Sequence, residues 1–244
     1  MNGPEPAKMK QARNAFGIPS VRLDRHRLQC PLHLPGFHQH DVKSSLGQPA
    51  VQPLRQGTGF QANGGEPGTV LWFALQADDT LAIFDIFADE DARDAHFSGA
   101  VAAALNQNAD TLVNGGWEDG VVANINNSDV LSVKVPVDLD TATTATYIKL
   151  EAASGKGPEL AALLTAAGPI VADTEPKTLF WAALQIDESN FAIFDIFADN
   201  SGREAHFAGQ VAGLLNAKAS ELVSGGWDDG VVANIRNFDI LAAK

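Results

Sequence analysis

The stretch Leu81–Asp89 reads LAIFDIFAD, and Phe191–Asp199 reads FAIFDIFAD. A short run that is apolar at almost every position, β-rich and closed by turn residues suits a strand with both faces buried. Each run carries an aspartate at its centre, Asp85 or Asp195, where a charge is costly unless it is paired or kept protonated. The doubling extends far beyond these nine letters. Ala82–Lys134 laid over Ala192–Lys244 is identical at 34 of 53 positions, at a shift of 110 residues. GGWEDGVVANINNSDVL answers GGWDDGVVANIRNFDIL, and RDAHF answers REAHF. EPGTVLWFALQ answers EPKTLFWAALQ after a slip of one residue in a turn. This is duplication at domain scale rather than a short solenoid period.

The second copy reads cleanly. Ala145–Ala152 is strand one. Pro158–Val171, with Leu160, Leu163 and Leu164 at helical spacing, is helix one. Thr178–Gln185 and Phe191–Ala198 are strands two and three, separated by a turn at Asp187–Asn190. Ser201 and Glu204 form a capping box for a helix running to about Leu222. SGGWDDG ends it, and Val231–Ala242 is strand four. The order βαββαβ is the ferredoxin-like split unit. A four-stranded sheet with both helices on one side leaves its other face bare and apolar, and two such faces in one chain can cover each other. The fold class is therefore α+β, two βαββαβ repeats packed as an intrachain pseudo-dimer, with residues 59–135 and 145–244 as the repeats. Two independent units joined by the polar linker Pro136–Ala145 are the other arrangement that the sequence permits.

Residues 1–58 differ in character. They hold eight Lys/Arg against three Asp/Glu, a balance of +5 that leaves about −18 to the rest of a chain whose net charge is −13. The acidic body repels phosphate backbones, which argues against a nucleic-acid partner. The front end is an irregular extension; VRLDRHRLQC is a candidate strand one, whereas the counterpart of helix one, near residues 49–62, is rich in Pro and Gly. Cys30, His33, His38 and His40 cluster, but at no recognised metal spacing, so no metal is expected. The single cysteine fits a reducing compartment, the start has no apolar signal-like stretch, and no run is long enough to span a membrane, so a cytoplasmic protein is expected.

The strand-three run, the R-x-A-H-F helix and the DVL or DIL ending, with the EP-x-T lead into strand two, resemble the antibiotic biosynthesis monooxygenase (ABM) family. The resemblance covers Glu66–Lys134 and about Ala145–Lys244. It implies a dimeric α+β barrel, oxidation of a small aromatic or quinol-type molecule by O₂, and no bound cofactor; haem use is the variant it leaves open. A non-catalytic member that binds a hydrophobic ligand or serves as a scaffold is the alternative, as is further homo-oligomerisation of the chain.

Candidate residues follow from the pattern. His96 and His206 hold matching places on the second helix, with Gly99 and Gly209 at i+3 and Ala103 and Gly213 at i+7. Those positions share a face and leave a smooth groove for a flat ligand, beside which the imidazole is a base or donor; close helix packing is the bland reading. Asp85 and Asp195 are either catalytic bases or structural acids paired across the seam between the halves. In the strand's alternation Asp195 shares a face with Ile193 and Phe197, and Phe194 and Ile196 take the other. Trp72 and Trp181, where the family often has Tyr, are candidates for a pocket wall, and Trp117 and Trp227 for turn anchors. Asn124 and Asn234, expected mid-strand, would either orient substrate or satisfy backbone groups.

Overall fold

The computed structural model describes Val21, Arg22, Glu66 and residues 68–244. In the second half, β5 (Thr144–Glu151), α3 (Gly157–Thr174), β6 (Thr178–Gln185), β7 (Asn190–Phe197), α4 (Asn200–Phe207), α5 (Gln210–Leu222) and β8 (Ile235–Ala243) follow in order. Strand β5 pairs with both β7 and β8, and β6 with β7, all antiparallel. The spatial order β8-β5-β7-β6 is that of the split unit. In the first half, β2 (Thr69–Ala77), β3 (Thr80–Phe87), α1 (Glu90–Phe97), α2 (Ala100–Leu112) and β4 (Asp129–Lys134) follow β1 (Val21–Arg22), which pairs with β3 at Leu81 and Thr80. The Pro- and Gly-rich stretch near 49–62, read as a poor counterpart of helix one, and the cluster of Cys30, His33, His38 and His40 lie outside the described residues.

The halves are joined edge to edge as well as face to face. Strand β8 also pairs with β2, from Phe73↔Ala243 to Gln76↔Asp239. Strand β4 pairs with β6, from Asp129↔Gln185 to Lys134↔Trp181. Each half's last strand thus extends the other half's sheet, giving the single order β1-β3-β2-β8-β5-β7-β6-β4. The expectation of two packed sheets lacked this exchange, because hydrophobic pattern marks faces and says nothing about which edge a strand joins.

The sheet curls into an α+β barrel, and β7 shows how. Phe191 and Ile193 pack outward with Leu160, Leu164 and Val171 of α3 and Val211 and Leu215 of α5. Ala192, Phe194 and Ile196 face inward, in one core with Leu71, Phe73 and Phe84 of the first half. Phe194 stacks on Phe84 with ring centroids 3.7 Å apart and lies 5.8 Å from Phe73. Burying one such ring is worth about 2–3 kcal/mol, so the strand is held from both sides.

Three local expectations are corrected. The helix cap is Asp199 rather than Ser201: Asp199 is extended, its Oδ1 accepts from the Gly202 N–H at 3.0 Å, and Ser201 Oγ donates to the same oxygen at 2.7 Å. Asp89 caps α1 in the same way, accepting from the Ala92 N–H at 2.8 Å. The long helix breaks at Gly209, and at Gly99 in the first half, into α4–α5 and α1–α2. Strand four starts at Ile235, because Val232–Asn234 forms a short 3-10 turn, as does Val122–Asn124. Asn124 and Asn234 therefore sit in turns rather than mid-strand.

Candidate functional site

Each half builds the same cluster around its histidine. In the second half, the last turn of α4 carries His206, two turns past the Asp199 cap, and this places the imidazole over β7 and against the segment that joins α3 to β6. Nδ1 is hydrogen-bonded to Glu175 Oε2, and Nε2 lies 3.7 Å from Asp195 Oδ2. Thr178 Oγ1 donates to the same Glu175 oxygen at 3.2 Å. In the first half, His96 Nδ1 meets Glu66 Oε2 at 2.7 Å, and Nε2 lies 3.8 Å from Asp85 Oδ2. Both histidines are buried. With Nδ1–H donated to glutamate, Nε2 is the basic nitrogen of the neutral ring, the usual consequence of a carboxylate partner.

Gly99 and Gly209 matter because they lack a side chain. A Cβ on Gly209 would lie 2.6 Å from Glu175 Oε1, and one on Gly99 would lie 2.3 Å from Glu66 Oε1. The glycines let each carboxylate reach its histidine, and they break the helix there. Two further residues close the cluster from the opposite half. Lys134 Nζ donates to the Glu175 carbonyl at 2.7 Å, and Lys244 Nζ donates to the Glu66 carbonyl at 3.2 Å.

Burial dominates the electrostatics. It pushes Asp195 up to about 7, against the pull of His206 and with the help of Glu175. Asp85 is likewise pushed up to about 7 by burial, with His96 opposing and Glu66 adding. Neither Asp195 oxygen makes a hydrogen bond, so burial bears fully on its charged form, with His206 Nε2 at 3.7 Å as a counter-charge. His206 is raised: burial acts against its charged form, but Asp195 and Glu175 outweigh it. Burial lowers Lys134, partly countered by Glu175.

The two halves differ in the space around the cluster. In the first half a cavity of about 120 Å³ touches Asp85 and His96 and is walled by Phe84, Phe87, Phe97 and Trp117. Ile83, Val101, Leu105 and Val121 also line it. Their counterparts Ile193, Val211, Leu215 and Val231 pack instead against Leu160, Leu164 and Val171 of α3. In the second half a cleft of about 310 Å³ reaches Glu175 and His206, bounded by Thr174, Lys177 and Gln210.

The structure therefore gathers His96, Asp85 and Gly99 in one half and His206, Asp195 and Gly209 in the other. Asp195 faces the helix layer rather than the seam between the halves, since its side of β7 belongs to the outer core. Trp181 sits opposite Asp195 in the β6–β7 register, fully buried, with its indole N–H making no hydrogen bond. Trp72 sits opposite Asp85 in the β2–β3 register and is half-buried. Of the two first-half tryptophans it is Trp117, read as a turn anchor, that lines the cavity, together with Asn126 and Asn127. The side-chain amide of Asn124 is spent on the carbonyls of Asp119 and Gly120, and that of Asn234 on Asp229 and Gly230. Glu66, Glu175, Lys134 and Lys244 had not been singled out. The signal was the acid of each EP-x-T lead and the lysine ending each copy. Among the described residues no group of three or more His, Cys, Asp or Glu is placed to hold a metal, and no helix is long and apolar enough to cross a membrane.

No family model and no curated protein matches the chain. Among solved structures, the NE2512 protein of unknown function from Nitrosomonas europaea is 38% identical over 43% of this chain and 94% of its own, with a TM-score of 0.39. A candidate monooxygenase from Fusobacterium nucleatum is 16% identical, covering 75% of this chain and 80% of its own, with a TM-score of 0.59. Another, from Lactobacillus acidophilus, is 11% identical over 72% and 78%, with a TM-score of 0.56. These last two share the fold of this chain.

Proposed function

From the premise that the chain belongs to the family of the Nitrosomonas europaea NE2512 protein, we propose that it is a cofactor-independent monooxygenase acting on a small aromatic or quinol-type molecule held in the first-half cavity. One observation carries this reading: a histidine clamped through Nδ1 by Glu66 shares an aromatic-walled cavity with a carboxyl group pushed up to about 7. Such a pocket offers an apolar wall for a ring and one convergent polar corner for its hydroxyl. An imidazole beside a carboxyl group pushed up to about 7 suits proton transfer at ordinary pH.

In this mechanism His96 Nε2 takes the hydroxyl proton, and Glu66 stabilises the imidazolium. The bound anion is electron-rich and gives its electrons to O₂. For a hydroquinone the balance closes without an outside reductant: hydroquinone and O₂ become hydroxyquinone and water. One oxygen atom enters the ring, the other leaves as water, and all four electrons come from the substrate. In its protonated form Asp85 would supply a hydrogen bond to the developing peroxide. The chain is read as two repeats, 59–135 and 145–244, that complete one barrel after an extension through residue 58, in a cytoplasmic setting.

A second reading has its own support. Because α3 fills the second-half counterpart of the cavity, Asp195 is packed in there, and Glu175 and His206 instead border a separate cleft, as in a ligand-binding or scaffold member of the fold. Oxygen-electrode traces with a panel of hydroquinones separate the two. Uptake lost in His96→Ala and retained in His206→Ala supports the first-half site; uptake that survives both changes removes it. No uptake, but a raised Tm with the same compounds, favours the binding reading. Addition of haem with an absorbance scan tests the haem variant directly.

A further inference from the structure

We infer that the lysine ending each half, Lys134 or Lys244, is a positioning residue for the histidine of the other half. Lys134 closes β4, where it pairs in register with Trp181 of β6, and it is only 6% exposed. A buried ammonium needs acceptors. This one donates to the carbonyl of Glu175, the residue whose carboxylate holds His206. The same carbonyl accepts from the Thr178 N–H at 3.1 Å, and the Glu175 N–H closes α3 on Val171 at 3.0 Å. The glutamate backbone is thus fixed on both sides, and Gly209 leaves its carboxylate room to reach His206.

The arrangement recurs with the halves exchanged. Lys244 is fastened to β2 by a reciprocal backbone pair with Trp72, at 3.1 and 2.9 Å. Its ammonium donates to the Glu66 carbonyl at 3.2 Å, and that carbonyl also accepts from the Thr69 N–H at 3.3 Å. Two lysines 110 residues apart therefore make the same bond, each across the exchanged strand. The first bond is buried and the second, at the exposed Lys244, is not. Either half alone lacks one member of its own cluster.

The charged and polar groups facing His206 come from four places: Asp195 on β7, Glu175 after α3, Thr178 on β6 and Lys134 on β4. The two carboxylates favour the imidazolium and the Lys134 charge opposes it. Lys134 thus acts on His206 in two ways, by aiming its partner and by limiting its proton affinity.

The test uses the full chain and nitrogen-labelled histidine rings followed by NMR. In the unaltered protein, the glutamate-bound Nδ1–H protons of His96 and His206 are expected as slowly exchanging, downfield signals. Lys134→Met is expected to abolish the His206 signal and spare that of His96. Lys244→Met is expected to do the reverse, and Lys134→Arg and Lys244→Arg to restore the signals. Both signals persisting in both Met variants, or each variant abolishing the signal of its own half, overturns the inference. If circular dichroism shows Lys134→Met unfolded, Lys244→Met at the chain end decides by the same criteria. The inference deepens the proposed role of the histidines. The ring signals do not depend on any reaction, so absent O₂ uptake with crossed signal loss sinks the function alone, and uptake without signal loss sinks only the lysine role.

Discussion

Asp195 concentrates the conflict at the scale of single residues. Its carboxyl is wholly buried, makes no hydrogen bond and is pushed from 3.8 up to about 7. A raised carboxylate adds nothing below its unfolded value, where both states are protonated, and costs stability progressively as pH rises to its folded value. That span corresponds to roughly 4 kcal/mol at full ionisation. His206, raised as well, contributes stability below the ordinary histidine range and loses it as pH rises through its folded value, so the two trends run together. Asp195→Asn cannot ionise. Its Tm relative to wild type is therefore expected to improve steadily from about pH 4 to about pH 8; a calorimetric difference flat across that range contradicts the assignment. Gly209→Ala tests the cluster sterically. Its Cβ would crowd Glu175 Oε1 at 2.6 Å and the His206 carbonyl at 2.9 Å, an overpacking cost of about 1–3 kcal/mol, to be read from urea midpoints. Gly213→Ala, where a Cβ meets nothing within 4 Å, is the control and is expected to be neutral or mildly stabilising.

At the scale of elements, α4 and α1 exist to deliver a histidine. Each is a short helix started by an aspartate and stopped by a glycine. Asp199 is held below its usual range by Ser201 and the Gly202 N–H, so its contribution is present above the unfolded carboxylate value and lost as pH falls through the folded one. Asp199→Ala is expected to lower Tm by a few degrees near neutrality, with the gap closing in acid; a gap that widens in acid refutes the cap. The sequence made this delivery partly readable. Alternation placed Asp195 with Ile193 and Phe197, and the R-x-A-H-F match fixed His206, because both signals are local. The glutamates escaped because they sit in connections, 30 and 31 residues before their histidines, where no periodicity operates. The lysines escaped because their bonds depend on β4 and β8 crossing to the opposite half. The cavity at Trp117 escaped because a strand pattern cannot tell a face covered by α3 from one left open.

At the scale of the whole molecule, the inner core decides whether the halves are one folding unit. Phe84 and Phe194 come from different halves yet stack at 3.7 Å, with Phe73 and Phe180 around Phe194. Strands β8 and β4 add backbone pairing across the same division. Opening the halves would expose both inner faces and unpair both exchanged strands together, so no intermediate keeps one half intact at low cost. Heating is therefore expected to give one transition, with calorimetric and van't Hoff enthalpies equal. Phe194→Ala is expected to cost about 3–5 kcal/mol. A cycle with Phe84→Ala should show a coupling of about 0.5–1.5 kcal/mol, the value of a ring pair beyond its buried area. Two resolved transitions, or additive single changes, would mean that the halves stand independently; the crossed lysines could then not be holding each other's histidines.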